Sequence, residues 1–272
     1  MARLALSLEY DGTAFMGWQR QSHAGRTVQA CLEAAIAKVA DHPVEVVCAG
    51  RTDAGVHATG QVTHFDSPVR RHLRGWLLGI NSNLPADVAV NWIQDVPEEF
   101  HARYRACARH YRYSILNRLT RPAIMRSQMT WIRHQLDEER MRTAAKFLLG
   151  EHDFSAFRAV ECQARSPVRS VHRLDVRRDG DGVLIDVVAD GFLHHMVRNI
   201  VGVLLAIGAG KQDPEWAQRV LAGRDRSLGG VTAPPQGLCF TAVLYPAAYN
   251  IPVPQGALFD GLSANLISAL NR

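Results

Sequence analysis

Three groups of residues in this 272-residue chain have types and spacings suited to chemistry. The first is the run Ala49-Gly50-Arg51-Thr52-Asp53-Ala54-Gly55-Val56-His57-Ala58-Thr59-Gly60-Gln61-Val62. Its small residues let backbone approach backbone or ligand closely, while Arg51, Thr52, Asp53 and His57 supply charge and hydrogen bonds. A carboxylate in such a loop can act as a nucleophile or a base; an Asp in a glycine-rich turn can equally cap a backbone amide. The second group is the stretch Arg105 to Leu116, where Arg109, His110, Tyr111, Arg112 and Tyr113 interleave cations with aromatics. That pattern suits stacking on bases with phosphates alongside, and it is also the pattern of a solvated strand face. The third is His194-His195-Met196-Val197-Arg198-Asn199, which opens a run that turns apolar from Ile200 onward. A cation emerging from a mostly buried helix needs a partner, and Asp53 is a candidate.

Other chemistries lack their residues. Adjacent His194 and His195 fall on different faces of a helix, which disfavours joint metal ligation. The chain has no G-x-x-x-x-G-K-S/T loop, no G-x-S-x-G elbow and no paired C-x-x-C, so ATP hydrolysis, serine hydrolysis and zinc-dependent deamination have nothing to work with.

The surrounding patterns predict what positions these groups. Leu4, Leu6, Leu8 and Tyr10 alternate with Arg3, Ala5, Ser7 and Glu9, as in a strand with one buried face. A turn at Asp11-Gly12 follows, then a helix capped by Thr27 with Val28, Cys31, Leu32, Ala35, Ile36 and Val39 on one stripe. Strands at Val44 to Cys48 and Val62 to Phe65, a helix from about Pro68 to Ile80 and a strand at Val88 to Ile93 complete a split βαβ order. The order then restarts. The strand Arg105 to Leu116 leads to a helix from about Asp137 to Leu149, with Gly150 as its capping glycine. Val168 to Val176 and Val183 to Val188 pair as a hairpin, an apolar helix covers Leu193 to Ile207, a short one Pro214 to Leu221, and the last strand Cys239 to Tyr245. The expected fold class is α+β: two similar split βαβ halves, ferredoxin-like or RRM-like, with mainly antiparallel sheets. The expected divisions are 1–100, 101–250 and a C-terminal extension, 251–272.

Composition narrows the partners. With 47% hydrophobic and 21% charged residues the chain is an ordinary globular one, long enough for about two cores. Lys and Arg number 31 against 26 Asp and Glu, a net charge of +5 that favours a polyanionic partner. Cys31, Cys48, Cys107, Cys162 and Cys239 are odd in number and dispersed, as in a reducing compartment. The N-terminus enters a strand pattern directly, and no apolar run has the length of a membrane span, so a cytoplasmic location is expected.

Taken together the motifs resemble the tRNA pseudouridine synthase A family. The matching blocks are Glu9-Tyr10-Asp11-Gly12-Thr13 with Gly17-Trp18-Gln19-Arg20, Ala49-Gly50-Arg51-Thr52-Asp53-Ala54-Gly55-Val56-His57 with Gly60-Gln61-Val62, Phe100-His101-Ala102-Arg103, Tyr111-Arg112-Tyr113, His152-Asp153-Phe154 with Phe157-Arg158, Phe192 to Gly202, and Pro235-Gln236-Gly237-Leu238. The resemblance implies a pseudouridine synthase fold with its two halves packed around a central cleft. It implies isomerisation of uridine to pseudouridine at positions 38 to 40 of the tRNA anticodon stem-loop, with no cofactor and no metal, by a homodimer. Asp53 would be the catalytic nucleophile, Arg198 its ion-pair partner, and Tyr111 the ring that stacks on the target uracil and a candidate acid or base. Arg51 would help displace the base and Arg71 would contact RNA nearby. Phe100, His101, Ala102, Arg103 and Tyr104 would touch tRNA, as would Glu161, Cys162, Gln163, Ala164 and Arg165. Two further readings stand beside it: a non-catalytic RNA-binding protein on the same fold, and a glycosidase-type hydrolase, for which the motifs supply only one of the two carboxylates required.

Overall fold

The computed structural model describes residues 1–21 and 25–259. Residues 260–272 of the expected C-terminal extension lie outside the described residues. The chain divides into two compact units, Met1–Arg109 joined by the segment from Cys239 onward, and His110–Leu238. Each is α+β with a mixed sheet.

The first unit opens with β1 (Ala2–Tyr10), α1 (Val28–Ala40), β2 (Val47–Cys48), β3 (His57–Ser67), α2 (Leu73–Asn83) and β4 (Val88–Val96). Thr27 caps α1 through the Ala30 amide, and Asp41 ends the helix in the left-handed region. β1 is central, antiparallel to β3 (Leu6 opposite Thr63) and to β4 (Leu6 opposite Ile93). Leu4 lies opposite Phe65, whose ring meets Trp76 of α2 edge-on at 5.5 Å, so this face of the sheet packs on the helices. The pattern predicted a single buried face, yet Ala5 and Ser7 are buried as well. Ala5 lies opposite His64, and His64 is covered by Phe100, which in turn packs on Tyr245 and Tyr249. The second face is therefore closed by chain that arrives from beyond the sheet's own strands.

The second unit contains most of β5 (Ala108–Asn117), then β6 (Thr130–Ile132), α3 (Glu138–Lys146), β7 (Gly150–Asp153), β8 (Val168–Asp179), β9 (Gly182–Ala189), α4 (Met196–Gly208) and α5 (Trp216–Gly223). The strand order is β5-β9-β8-β7, with β6 parallel along β5. The expected hairpin forms as β8 and β9, closed between Asp179 and Gly182 with Gly180 at φ 56°. Asp137 caps α3 by accepting from the Glu139 and Arg140 amides. That helix ends at Lys146, before Gly150, which instead opens β7 at φ 96°. α3 and α4 pack on one another, and a Cβ on Gly208 would lie 2.6 Å from the Met141 sulfur.

The last strand, β10 (Leu238–Leu244), pairs parallel with β3, Cys239 opposite His57 and Phe240 opposite Ala58. Gly60 is glycine because any side chain there would collide with the Thr241 carbonyl. All five cysteines are free thiols. Among the described residues no helix is long and apolar enough to cross a membrane.

Candidate active site

In the first unit, two motif blocks far apart in sequence form one structure. The Asp53 loop leaves β2 and enters β3, anchored at its start by the Ala49 amide on Val62 O at 2.8 Å. The buried Gln61 side chain closes a reciprocal pair with Gly50, donating to Gly50 O at 2.6 Å and accepting from Gly50 N at 3.4 Å. On either side of Asp53 the backbone is held by the Gly12 to Trp18 segment. The Trp18 amide donates to Thr52 O at 3.0 Å, and the Gly55 amide to Phe15 O at 3.2 Å. The Thr52 hydroxyl meets the buried Tyr10 hydroxyl at 2.8 Å. His57 Nδ1 accepts from the Gly12 amide at 3.0 Å. Gly12 has no room for a side chain against the Val56 carbonyl, and Gly17, at φ 92°, would place a Cβ 2.8 Å from Thr52 O and 3.1 Å from Ala54 N. These contacts explain why the loop and the preceding glycines share one motif pattern: a flexible turn has become a rigid mount for a half-exposed carboxylate. Burial pushes the Cys48 thiol at the loop's edge up to about 12, so it stays protonated at neutral pH.

The other expected residues of this unit fall nearby in the fold or on its surface. Arg109 ties the Asp53 loop to the Phe100–Tyr104 turn, with Nε donating to Ala49 O at 3.1 Å and a terminal nitrogen to Arg103 O at 2.6 Å. Within that turn Phe100 and Ala102 are fully buried anchors, fastened by Arg3 on Phe100 O at 2.8 Å and Tyr245 on Ala102 O at 2.6 Å. Arg103 and Tyr104 project outward. The Tyr104 ring is 75% exposed, lies 4.3 Å from the His101 ring, and carries the Arg103 guanidinium 5.6 Å above it. Arg51 is exposed, as is Arg71, which donates to Val39 O at 3.0 Å and approaches the Trp76 ring at 5.9 Å.

In the second unit, Tyr111 sits on β5 with 7% exposure, its ring edge-on to Phe192 at 5.1 Å and 84°. Its neighbours His110 and Arg112 turn to the other face, where both meet Asp186 Oδ1 at 2.8 Å. Burial alone would raise the Asp186 pKa, but these two hydrogen bonds and their charges hold it below the usual carboxylate value. Two residues on, Tyr113 is buried with its hydroxyl 2.6 Å from Thr130 Oγ1 and donating to Pro234 O at 2.8 Å. Burial pushes this phenol up to about 12, with the Thr130 hydrogen bond and the Arg198 charge pulling the other way. Gly237 packs against the Tyr113 ring, a Cβ there lying 2.8 Å from it, which accounts for the glycine of the Pro235-Gln236-Gly237-Leu238 block.

Arg198 lies in the first turn of α4, which starts three residues later than the apolar pattern predicts because His195 takes a left-handed conformation at φ 62°. The Arg198 Nε donates to Ala233 O at 2.8 Å, and its own carbonyl accepts the Ala233 amide at 3.1 Å. The Glu161 to Arg165 segment follows the turn of Ser155–Phe157; Glu161, Gln163 and Arg165 are exposed, Cys162 and Ala164 half-buried. The Ala159 amide on His194 O at 2.9 Å ties this segment to the chain entering α4. Asp53, Arg51, Arg71 and Phe100–Tyr104 thus belong to the first unit, and Tyr111, Arg198 and 161–165 to the second. The residues that mount these groups, Tyr10, Gln61, Phe192 and Ala233, have no site role in the sequence pattern alone. The first three fall inside the motif blocks, and that is the signal that could have found them.

A family profile described as tRNA pseudouridine synthase matches residues 6–105 and 144–246. The tRNA pseudouridine synthase A of Methylococcus capsulatus is 55% identical over 263 residues, covering 97% of this chain and 96% of that protein. The chain belongs to the tRNA pseudouridine synthase A family. Its activity is that of a tRNA pseudouridine synthase, an isomerase. The family's proteins from Alcanivorax borkumensis (53% over 260 residues; 95% of this chain, 97% of that protein) and Nitrosococcus oceani (56% over 250; 92% and 96%) are similar to the same extent. Among solved structures, the archaeal box H/ACA sRNP Nop10–Cbf5 complex is similar at a TM-score of 0.34 and 14% identity, over 74% of this chain and 44% of that chain, less than half of the latter's length.

Proposed function

We propose that this synthase converts uridines at positions 38 to 40 of the tRNA anticodon stem-loop, with Asp53 as its nucleophile. The observation that carries the assignment of Asp53 is its mounting: a half-exposed carboxylate on a loop whose backbone is hydrogen-bonded on both sides to the Gly12 to Trp18 segment. The reaction breaks the N1–C1′ glycosidic bond, turns the uracil and joins C5 to C1′, with loss of the C5 proton and no net redox change. A stacked base cannot reach a carboxylate, so the uridine is flipped out at a cost of a few kcal/mol, which cationic and aromatic contacts offset. Arg51 assists that displacement. Tyr111 stacks on the extruded uracil and is the candidate acid or base when C5 loses its proton. Arg198 pairs with Asp53 and orients its carboxylate.

Arg71, the Phe100–Tyr104 turn and the Glu161 to Arg165 segment contact the tRNA outside the reacting nucleotide. Within the turn, the outward Arg103 and Tyr104 are suited to phosphate and base contact, while the buried Phe100 and Ala102 hold the turn in place. The working enzyme is a cytoplasmic homodimer, and light scattering of a stable, active monomer would contradict that. The substrate assignment is tested with three anticodon-arm transcripts, each carrying a single uridine at 38, 39 or 40. Pseudouridine at these positions, mapped by carbodiimide adducts, is the expected result. Product confined to other positions would overturn it.

A further inference from the structure

The segment Gly229 to Ala233 buries almost nothing of its own. Val231 is 88% exposed, and only Ala233 is buried. Apolar burial cannot hold such a segment, so its course must be set by backbone contacts and hydrogen bonds. The contacts are close: a side chain on Gly202 of α4 would collide with the Val231 carbonyl, and a Cβ on Gly230 would lie 2.8 Å from Gly202 O. The hydrogen bonds converge on one side chain. A terminal nitrogen of Arg226 donates to Gly230 O at 2.9 Å, to Thr232 Oγ1 at 3.0 Å and to Asn199 Oδ1 at 3.1 Å. The Thr232 hydroxyl donates to the same Asn199 oxygen at 2.7 Å. Asn199, 2% exposed, is fixed in turn by donating to Phe157 O at 2.7 Å. The residue after Thr232 is Ala233, whose carbonyl accepts from Arg198 Nε at 2.8 Å.

We propose that Arg226, Thr232 and Asn199 form a clamp that sets the direction of the Arg198 guanidinium, making Arg226 and Thr232 positioning residues for the reaction. The inference rests on the role proposed above for Arg198. Because the backbone bond is made by Nε rather than by a terminal nitrogen, the clamp orients the planar fork as a whole, and a carboxylate accepts from such a fork only in a narrow range of geometries. Arg226 itself touches no reacting group; it acts through Thr232, Ala233 and Arg198.

The test compares Arg226→Ala, Thr232→Val and Arg198→Met with the wild-type enzyme on full-length tRNA. Three quantities are read: single-turnover rate at saturating enzyme, Kd for tRNA by filter binding, and thermal midpoint. Misplacing a reacting group by about 1 Å costs up to about 100-fold in rate, and a loosened clamp should cost about tenfold. Arg226→Ala is therefore expected to turn over about tenfold more slowly with Kd unchanged, and millimolar ethylguanidinium should restore part of the rate without altering the midpoint. A folded Arg226→Ala enzyme with wild-type rate, or with its loss confined to Kd or the midpoint, would overturn the proposal. Should that variant fail to fold, Thr232→Val, which removes a single hydroxyl, decides by the same criterion. If Arg198→Met is slow while both clamp variants are unimpaired, the clamp alone is wrong. If Arg198→Met turns over normally, the role of Arg198 fails and the clamp with it.

Discussion

Gly17→Ala tests whether the motif glycines serve catalysis by fixing the Asp53 loop. The added Cβ would sit 2.8 Å from Thr52 O and 3.1 Å from Ala54 N, the backbone on both sides of Asp53, whereas ordinary contact begins at 3.4 Å. Neither neighbour is a flexible side chain, so the loop must give by about 0.6 Å from 2.8 to 3.4 Å. Gly17 also stands at φ 92°, where an L-residue is strained by roughly 1–2 kcal/mol. If about 1 Å of misplacement can cost up to about 100-fold in rate, a shift of this size should slow the chemical step by about tenfold. The assay is single-turnover tritium release from uridine-5-tritiated tRNA, alongside urea unfolding and tRNA binding. The expected variant is folded, destabilised by roughly 1–2 kcal/mol, binds tRNA normally and reacts about tenfold more slowly. A variant that is destabilised but keeps its single-turnover rate would refute the reasoning, because the loop would then tolerate displacement.

Two further outcomes follow from buried polar groups. Tyr113→Phe leaves Thr130 Oγ1 and Pro234 O without a hydroxyl partner and should lower stability by about 1–3 kcal/mol; an unchanged urea midpoint would contradict this. His64 accepts the Ala102 amide on Nδ1 at 3.2 Å, and burial, then the charges of His101 and Arg3, lower its pKa to about 4. With the folded pKa below the unfolded one, protons favour the unfolded chain. This contribution is intact above the unfolded pKa of about 6.5 and is lost progressively as pH falls towards about 4. His64→Asn should flatten the fall in urea midpoint between pH 7 and 4.5, and a slope identical to wild type would exclude His64 as its source.

Local signals in the sequence were sufficient at several helix and hairpin ends, though not at Gly150, which opens β7 instead of capping α3. Thr27 and Asp137 cap the helices predicted from them, and the β8–β9 turn closes at Gly180 as its residues demand. What the sequence did not display depends on distant chain. His57 to Gln61 looks like glycine-rich loop, yet it is strand, because β10 from the far end of the chain runs beside it. The second buried face of β1 likewise depends on Phe100 and Tyr245. In the candidate site, Asp53, Tyr111 and Arg198 stood out by type and motif. Their mounts did not: Ala233 contributes only a backbone carbonyl, and Tyr10 looks like an ordinary strand tyrosine. Backbone acceptors carry no side-chain signature, so only the fold reveals them.

The central claim is that Asp53 performs the chemistry, and Asp53→Asn tests it most directly, replacing one oxygen with an amide of nearly the same shape. With uridine-5-tritiated tRNA, joining C5 to C1′ releases the label, so release measures the new bond itself. Wild-type enzyme should release tritium while Asp53→Asn binds the same tRNA and releases none. Undiminished release from Asp53→Asn would place the nucleophile elsewhere.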